Sequence, residues 1–266
     1  REFDRSRCSV ILGRGNYLNP GMARLTQMVR SGQQIVECLR TLVPGITEAQ
    51  LDAVRTEFRG QLVAPTAEGV IGLVPNLTAS RISSRLDLQG PSYTVDAACA
   101  SSLVAVDQAV ADLLSHRTDM ALAGGVHLTH DISFWAVFSQ LGALSRTGAI
   151  RPFDASADGL LMGEGIGMVV LKRLEDAQQD DDRVVAVIKG TGVASDGREA
   201  SLMTPRVEGQ MLALERAWAM AGLPPESVGL VEAHGTATPV GDAAELTTLR
   251  RFFRDPEDSQ ALDDEE

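Results

Sequence analysis

The sequence predicts an α/β fold built on a mostly parallel sheet. Short apolar runs with strand character alternate with helix-like segments, a pattern typical of strands covered by helices on both faces. Aromatic residues make up only 4% of the chain while glycines number 25, so we expect small residues to mediate contact between the layers. The 266 residues are 44% hydrophobic, which suits one large globular domain or two small ones.

In the first half of the chain, apolar runs predict three strands and helical periodicity predicts four helices. The strands are 8–15, which ends in a glycine turn, 93–99, and 119–126, which ends in two glycines. The helices are 20–41, 47–58, one within 70–88 after a turn, and 100–115. The residues "PGIT" separate the first two helices, and "NLTASRI" supplies capping residue types for the third.

The second half contains a long glycine-rich segment, residues 134–165, and such irregular segments are usually functional in compact domains. We predict strands at 166–174, 183–195 and 228–235, and helices at 206–223 and 243–253. Gly222 and two prolines stop the first of these helices. The acidic stretches 178–183 and 254–266 are expected to be solvated, and the former is a plausible boundary between two α/β halves.

Charge and cysteine content exclude several classes of function. A formal net charge of -12 argues against binding nucleic acid or an anionic membrane, because both need clustered Lys and Arg. Three cysteines without CxxC spacing argue against a disulfide framework or a zinc site. No apolar run approaches the ~20 residues of a membrane helix, and no signal peptide is visible, so we expect a reducing, cytoplasmic compartment. The absence of a starting Met suggests a piece of a larger protein.

Cys99 is the first candidate for chemistry. It lies in "VDAACASSLVAV", between a strand-like run and a helix-like run, among small residues. A tight turn there would place the sulfur at a helix N-terminus, where free N–H groups favour the thiolate and can stabilise an oxyanion. Taken alone, the residue is explained equally well as a small buried hydrophobe.

His234 is the second candidate. It follows an apolar run and precedes Gly-Thr-x-Thr-Pro, at the sheet edge where ligands bind in open α/β folds. A histidine there can donate to a carbonyl oxygen, and Thr236 and Thr238 offer hydroxyls on the same loop. A lone histidine is more often structural, but the surrounding turn residues favour a site. His127 and His130 have the spacing of a metal pair, yet no third ligand completes it, so no metal is expected.

The glycines around Glu164 resemble a phosphate loop only superficially, because they precede a strand instead of linking a strand to a helix. We expect them to permit close approach of the backbone near a site, with Glu164 as a supporting, hydrogen-bonding carboxylate.

Together these motifs resemble those of the β-ketoacyl synthases, the condensing enzymes of fatty-acid and polyketide assembly. "VDAACASSL" resembles the nucleophile motif, "MALAGGV" the strand after the nucleophile helix, and "VEAHGTATPVGDAAE" the first histidine motif. "FSQLGALSRTGAIRPFDASADGLLMGEGIGMVVLKRL" resembles the central signature almost throughout. The resemblance covers residues 8–253, and "DAACASS" is closer to iterative type I polyketide or polyunsaturated-fatty-acid synthases than to the commoner "DTACSSS" form.

The resemblance implies a thiolase-like, layered α/β/α/β/α fold of two similar halves. The first half would be residues 1–176, which hold the nucleophile without the family's first strand and helix. Residues 177–253 would begin an incomplete second half, and 254–266 would form a disordered acidic tail. An intact parent would form a homodimer through the strand next to the nucleophile.

The resemblance also implies a mechanism. Cys99 would accept an acyl chain from an acyl carrier protein, and a malonyl-type extender would lose CO₂ and attack the thioester. His234 would stabilise the enolate, and the backbone N–H of Cys99 would supply half of an oxyanion hole. Thr236 and Thr238 would contact the phosphopantetheine arm, and no cofactor or metal would be bound directly.

Two carboxylates complete the implied site. Glu245 falls where the family carries a carboxylate that pairs with a lysine in the catalytic site. Asp242 belongs to the same histidine motif and is expected to support the site.

Several family features are not found in these residues. The Lys-Ser-x-x-Gly-His motif of the second histidine and the Gly-Phe-Gly-Gly loop are missing, and Leu160 replaces the usual Phe of the central signature. The isolated chain is therefore hypothesised to be inactive. A thiolase-like acyltransferase is disfavoured by the "HGTAT" and "LSRTG" motifs, whereas a non-catalytic pseudo-ketosynthase or dimerisation fragment is the alternative that stays open.

Overall fold

The computed structural model describes residues 3–15, 20–64, 66–128, 131–198 and 203–253. Helices separate consecutive strands up to residue 171, as predicted, whereas the described residues after it form helices and irregular segments only. The strands are β1 (Cys8–Gly13), β2 (Ser92–Val95), β3 (Met120–His127) and β4 (Gly165–Leu171). The helices are α1 (Pro20–Thr26), α2 (Gly32–Leu42), α3 (Glu48–Gly60), α4 (Ala67–Ile71), α5 (Leu77–Leu86), α6 (Ser101–Leu114), α7 (Ile132–Gln140), α8 (Leu174–Gln179), α9 (Val207–Ala221) and α10 (Pro239–Phe252).

These elements belong to two compact units. The first comprises the four-stranded sheet with helices α1 to α5, and the second comprises helices α8 to α10 with the irregular segment 141–163. Cys99 belongs to the first unit and His234 to the second. Within the described ranges, no helix is both long enough and apolar enough to cross a membrane.

The sheet of the first unit has the strand order β2-β1-β3-β4, and β1 runs parallel to both of its neighbours. Every residue of β1 is buried, as its continuous apolar run predicts for a central parallel strand. Cys8, Val10 and Leu12 share one face of the strand and pack with Ala79 and Leu88. Burial raises the pKa of the Cys8 thiol, so this cysteine serves packing and not chemistry.

Two predicted strands are not formed. Residues 183–195 and 228–235 have no partner strand within the part of the chain that the structure describes, and they are irregular. Val185 and Leu230 are 86% and 85% exposed. An apolar run indicates a tendency to be buried, but a strand also needs a neighbour that accepts its hydrogen bonds. The prediction was wrong because the sequence pattern reports only the first requirement.

The segment 134–165 begins with a helix, although the sequence predicts it to be irregular. Its first residues belong to α7, and the backbone N–H of Ser133 donates to Asp131 Oδ1 at 2.9 Å to begin that helix. The later glycines dominate the composition of the segment and concealed the helix. The irregular part is residues 141–163, in which Leu144 and Leu160 form an isolated parallel bridge.

In the second unit, α9 and α10 pack through aromatic side chains. The ring of Trp218 meets those of Phe252 and Phe253 edge-on, at centroid distances of 4.9 and 5.5 Å. Helix α9 ends at Gly222, whose φ of 61° permits the left-handed cap that the sequence predicts. This packing fixes α9 against α10, the helix that directly follows the loop of His234. The predicted acidic tail, 254–266, lies outside the described residues.

Candidate active site

Cys99 lies on a tight turn between β2 and α6, as the sequence predicts. The chain leaves β2 at Val95, forms a 3₁₀ turn over Ala98–Ala100 and enters α6 at Ser101. Cys99 is exposed, unlike Cys8, so the interpretation as a packed hydrophobe loses its main support. The turn presents the sulfur at the beginning of a 14-residue helix, whose dipole favours negative charge there.

Local polar contacts hold this turn. The Oδ1 atom of Asp96 accepts from the backbone N–H of Ala98 at 3.0 Å. The Ser101 hydroxyl accepts from the N–H of Ala97 at 2.9 Å and donates to the carbonyl of Ala98 at 2.7 Å. Ala98 itself has a φ of 50°, in the left-handed region that costs a non-glycine residue free energy. The residue before the cysteine is therefore held in a strained conformation by its neighbours.

Two glycines allow the start of α6 to approach the sheet. A Cβ atom on Gly13 of β1 would overlap the carbonyl group of Ser101. A Cβ atom on Gly125 of β3 would lie 2.6 Å from the Cβ of Ser102. Neither glycine has a positive φ, so space and not backbone conformation requires them here. The distance between the turn of Cys99 and the sheet therefore depends on the absence of a side chain at both glycines.

His234 lies on an exposed loop that leads into α10. The carboxylate of Glu245 on that helix accepts two hydrogen bonds from the loop, from the N–H of His234 at 2.6 Å and from that of Gly235 at 2.9 Å. The prediction of a loop is confirmed, but no regular strand precedes it among the described residues. Glu245 thus fixes the backbone that carries the histidine.

The hydroxyls of Thr236 and Thr238 lie 2.9 Å apart on the same loop. Both side chains are half-buried. A Cβ atom on Gly241 would lie 2.9 Å from the Thr236 hydroxyl, so that hydroxyl rests against the first turn of α10. The two threonines form a paired hydroxyl group beside His234.

Asp242 is buried in the first turn of α10. Its Oδ1 accepts from the N–H of Ala237 at 3.0 Å, and its Oδ2 accepts from the N–H of Phe153 at 2.6 Å. The N–H of Gly159 donates to the carbonyl of Ala237 at 2.9 Å. The loop of His234 and the segment 153–159 are therefore joined through backbone groups.

Asp158 is a further organising carboxylate, which sequence reasoning missed. It accepts from the Ser145 hydroxyl at 2.6 Å and from the N–H groups of Arg146 and Thr147 at 3.1 Å each. The hydrogen bond from Ser145, with smaller help from Thr147 and Arg146, lowers the pKa of Asp158 despite some desolvation. The only available signal was the dipeptide Asp-Gly, which indicates a turn but not the partner of the carboxylate.

Glu164 and the residues around His234 belong to different units. Glu164 is an exposed residue of the first unit, directly before β4. The structure therefore brings together His234, Thr236, Thr238, Asp242 and Glu245, whereas Cys99 and Glu164 belong to the other unit.

The histidine pair considered as a metal site is only partly described. The ring of His127 lies 5.2 Å from that of Phe134, whereas His130 lies outside the described residues. Among the described residues, no group of three Cys, His, Asp or Glu side chains is placed to hold a metal ion.

Comparison with known protein families gives two matches along the chain. A model described as the N-terminal domain of beta-ketoacyl synthase matches residues 2–177, and one described as the C-terminal domain matches residues 185–263.

Two curated relatives are subunits of synthases. The chain is 49% identical over 189 residues to one subunit of the phenolphthiocerol/phthiocerol polyketide synthase of Mycobacterium bovis, covering 70% of this chain and 10% of that protein. It is 39% identical over 209 residues to one subunit of the polyunsaturated fatty acid synthase of Thraustochytrium sp., covering 79% and 7%. The chain thus spans a tenth or less of the length of these relatives.

A solved structure supports the same relationship. The ketosynthase from module 6 of the bacillaene synthase of Bacillus subtilis 168 superposes with a TM-score of 0.67 at 37% identity. The match covers 72% of this chain and 35% of that one.

Proposed function

Because the chain belongs to the β-ketoacyl synthase family and has its thiolase-like α/β fold, we propose that it carries out the chemistry of a ketosynthase in polyketide or fatty-acid synthesis. The reaction is a decarboxylative Claisen condensation between an enzyme-bound acyl thioester and a malonyl-type thioester. The observation that carries the proposal is the exposed Cys99 on a strained turn at the start of α6.

In the first half-reaction, the Cys99 thiolate attacks the carbonyl carbon of an acyl group borne on the phosphopantetheine arm of an acyl carrier protein. The arm leaves as a thiolate that takes up a proton from solvent, and the acyl group is retained as a thioester on the Cys99 sulfur. The tetrahedral intermediate carries negative charge on oxygen. The backbone N–H of Cys99 is one donor for that charge, which a helix N-terminus also favours.

In the second half-reaction, the malonyl-type extender loses CO₂, and the resulting enolate carbon attacks the Cys99 thioester. The new carbon–carbon bond forms as the Cys99 sulfur leaves. His234 donates a hydrogen bond to the thioester oxygen of the extender and stabilises the enolate. Thr236 and Thr238 contact the phosphopantetheine arm. Asp242 and Glu245 support this loop through the backbone contacts described above.

The proposed partners are an acyl carrier protein and a second copy of the chain. Strand β2 lies at the end of the strand order β2-β1-β3-β4, which leaves one side of its backbone without a described neighbour in the sheet. Such an edge can pair with the same strand of another copy. The strand leads directly into the turn of Cys99, so pairing there would bring two nucleophile turns close to the dimer axis.

We further propose that these 266 residues alone acylate Cys99 but do not complete condensation. The sequence holds no Lys-Ser-x-x-Gly-His motif and no Gly-Phe-Gly-Gly loop. None of its four histidines can therefore serve as the second histidine of the family. The experiment supplies acyl- and malonyl-carrier substrates and follows acylated protein by mass spectrometry and β-ketoacyl product by chromatography. We expect acylation that is lost in Cys99→Ala, with no product. Multiple turnovers to product would refute the inactivity of the chain, and absence of acylation would refute the function of Cys99.

A further inference from the structure

One buried carboxylate joins two distant stretches of the second unit. Asp242 is only 5% exposed, and each of its carboxylate oxygens accepts one hydrogen bond from a backbone N–H group. One amide belongs to Ala237, five residues before it in the loop of His234. The other belongs to Phe153, which is 89 residues away in the chain. No side chain of either residue contributes to these hydrogen bonds.

Both residues whose amides are bound have unfavourable backbone conformations. The φ angle is 61° at Phe153 and 58° at Ala237, in the left-handed region that residues with a Cβ rarely adopt. Such conformations persist only where surrounding contacts enforce them. A buried, charged acceptor is suited to that task, because its hydrogen bonds are about twice as strong as neutral ones. Here one side chain faces the amides of two strained residues.

We propose that Asp242 is a positioning residue that offsets the backbone strain of Phe153 and Ala237 and thereby locks the loop of His234 onto the segment 153–159. A third hydrogen bond depends on the same conformation, since the N–H of Gly159 donates to the carbonyl of Ala237 at 2.9 Å. These contacts support the role of Asp242 whatever reaction the chain catalyses. Only its importance for His234 in condensation rests on the proposed function.

Hydrogen exchange of the Gly159 amide provides the test, because that amide contacts Ala237 and not Asp242 itself. The full 266-residue chain is used, and condensation activity is not needed, so the result stands apart from the proposed function. In Asp242→Asn, the amide nitrogen of Asn replaces one acceptor and leaves one strained residue unsupported. We expect the protection factor of Gly159 to fall about tenfold or more.

The decisive variant combines Asp242→Asn with Ala237→Gly. Glycine adopts a φ near 60° without a steric penalty, so it should hold the loop without the carboxylate. We expect the double variant to recover Gly159 protection at least about threefold over Asp242→Asn alone. If Asp242 only satisfied two buried amides, glycine would add flexibility and protection would stay low or fall further, which overturns the proposal.

Two control variants establish that the effect is specific. Glu215→Gln changes a carboxylate at an exposed position of α9, and it should leave Gly159 protection within about twofold. Ala243→Gly places glycine in the right-handed first turn of α10, and combined with Asp242→Asn it should not restore protection.

Ala237→Gly in the native chain keeps the test decisive if Asp242→Asn does not fold. Gly159 protection that is unchanged or increased supports strain at this position. A decrease of about threefold or more shows that the left-handed conformation carries no strain for Asp242 to offset, and it overturns the proposal.

Discussion

The Oε1 atom of Glu245 lies 2.6 Å from the backbone nitrogen of His234 and accepts its hydrogen bond. The second oxygen of the same carboxylate accepts the N–H of Gly235 at 2.9 Å. The backbone of the histidine is thus held by a carboxylate on helix α10. Glu245 therefore has the structural role of holding the backbone of this loop.

Glu245→Gln should lower the stability of the chain. The amide nitrogen of Gln cannot accept either N–H, so one of the two loses its partner, at a cost of about 1–3 kcal/mol. The measurement is the free energy of unfolding in urea. Glu215→Gln removes the same charge from an exposed position of α9 and should change the value by less than about 0.5 kcal/mol. Equal effects of the two variants would contradict the role given to Glu245.

The three cysteines should react with iodoacetamide at clearly different rates. Cys99 should be fastest, because the start of α6 favours its thiolate. Cys38 is exposed but lies within α2, and buried Cys8 should react only after unfolding. Peptide mass spectrometry measures each rate, with Cys99→Ser to confirm the assignment. Labelling of Cys99 no faster than Cys38 at neutral pH would favour the non-catalytic alternative.

Gly13→Ala should displace the start of α6. The added methyl group would overlap the Ser101 carbonyl, and overpacking of this kind costs about 1–3 kcal/mol. We expect lower stability and an altered labelling rate at Cys99, with the rate at Cys38 unchanged. The matched control is Gly60→Ala at the end of α3, where a Cβ meets nothing within 4 Å. That variant should be neutral or stabilising by up to about 1 kcal/mol.

Asp158→Asn should reduce the dependence of stability on pH. The pKa of Asp158 is lowered chiefly by the Ser145 hydroxyl, so the ionised form stabilises the fold. That contribution is fully present above the ordinary carboxyl pKa of about 4 and is lost as the pH falls through the lower folded value. The difference in urea midpoint between wild type and variant should therefore shrink from about pH 6 to about pH 2.5. A constant difference would show that the lost stability does not come from ionisation. Glu226→Gln, at an exposed position, provides the control for charge.

Thr94→Pro should weaken a dimer formed through β2. The carbonyl of Pro91 accepts from Val10 of β1, and that of Val95 accepts from Arg14 directly after β1. The alternation of a strand therefore directs the main-chain groups of Thr94 to the open edge. Proline there removes an outward N–H and spares the ladder with β1. Sedimentation velocity should show a dimer for wild type and for Thr94→Val, and a monomer for Thr94→Pro. A monomeric wild type would contradict the dimer.

The nucleophile turn could be predicted because its determinants are contiguous. A strand-like run, small residues around Cys99 and a helix-like run lie within a dozen positions, and the structure orders them as expected. The carboxylate contacts could not be predicted in this way. Asp158 meets Ser145 across 13 positions and Asp242 meets Phe153 across 89, and no local pattern encodes which distant amide a carboxylate accepts.

The prediction of strands at 183–195 and 228–235 was wrong for a related reason. Their apolar residues favour burial, which is a property of each segment, whereas strand pairing is a property of two segments. Helix α9 was predicted well, because its amphipathic pattern and its stop at Gly222 are both local.

The side-chain carboxylates of Asp158, Asp242 and Glu245 hold loops largely by accepting hydrogen bonds from the backbone N–H groups of those loops. This has a consequence for directed evolution. The outward side chains of such loops are not part of what fixes their path. Arg146 is exposed on one of these loops and contributes only its N–H group to these contacts. A library that diversifies side chains at such positions while keeping the three acidic residues can change what the loops recognise without changing where they run.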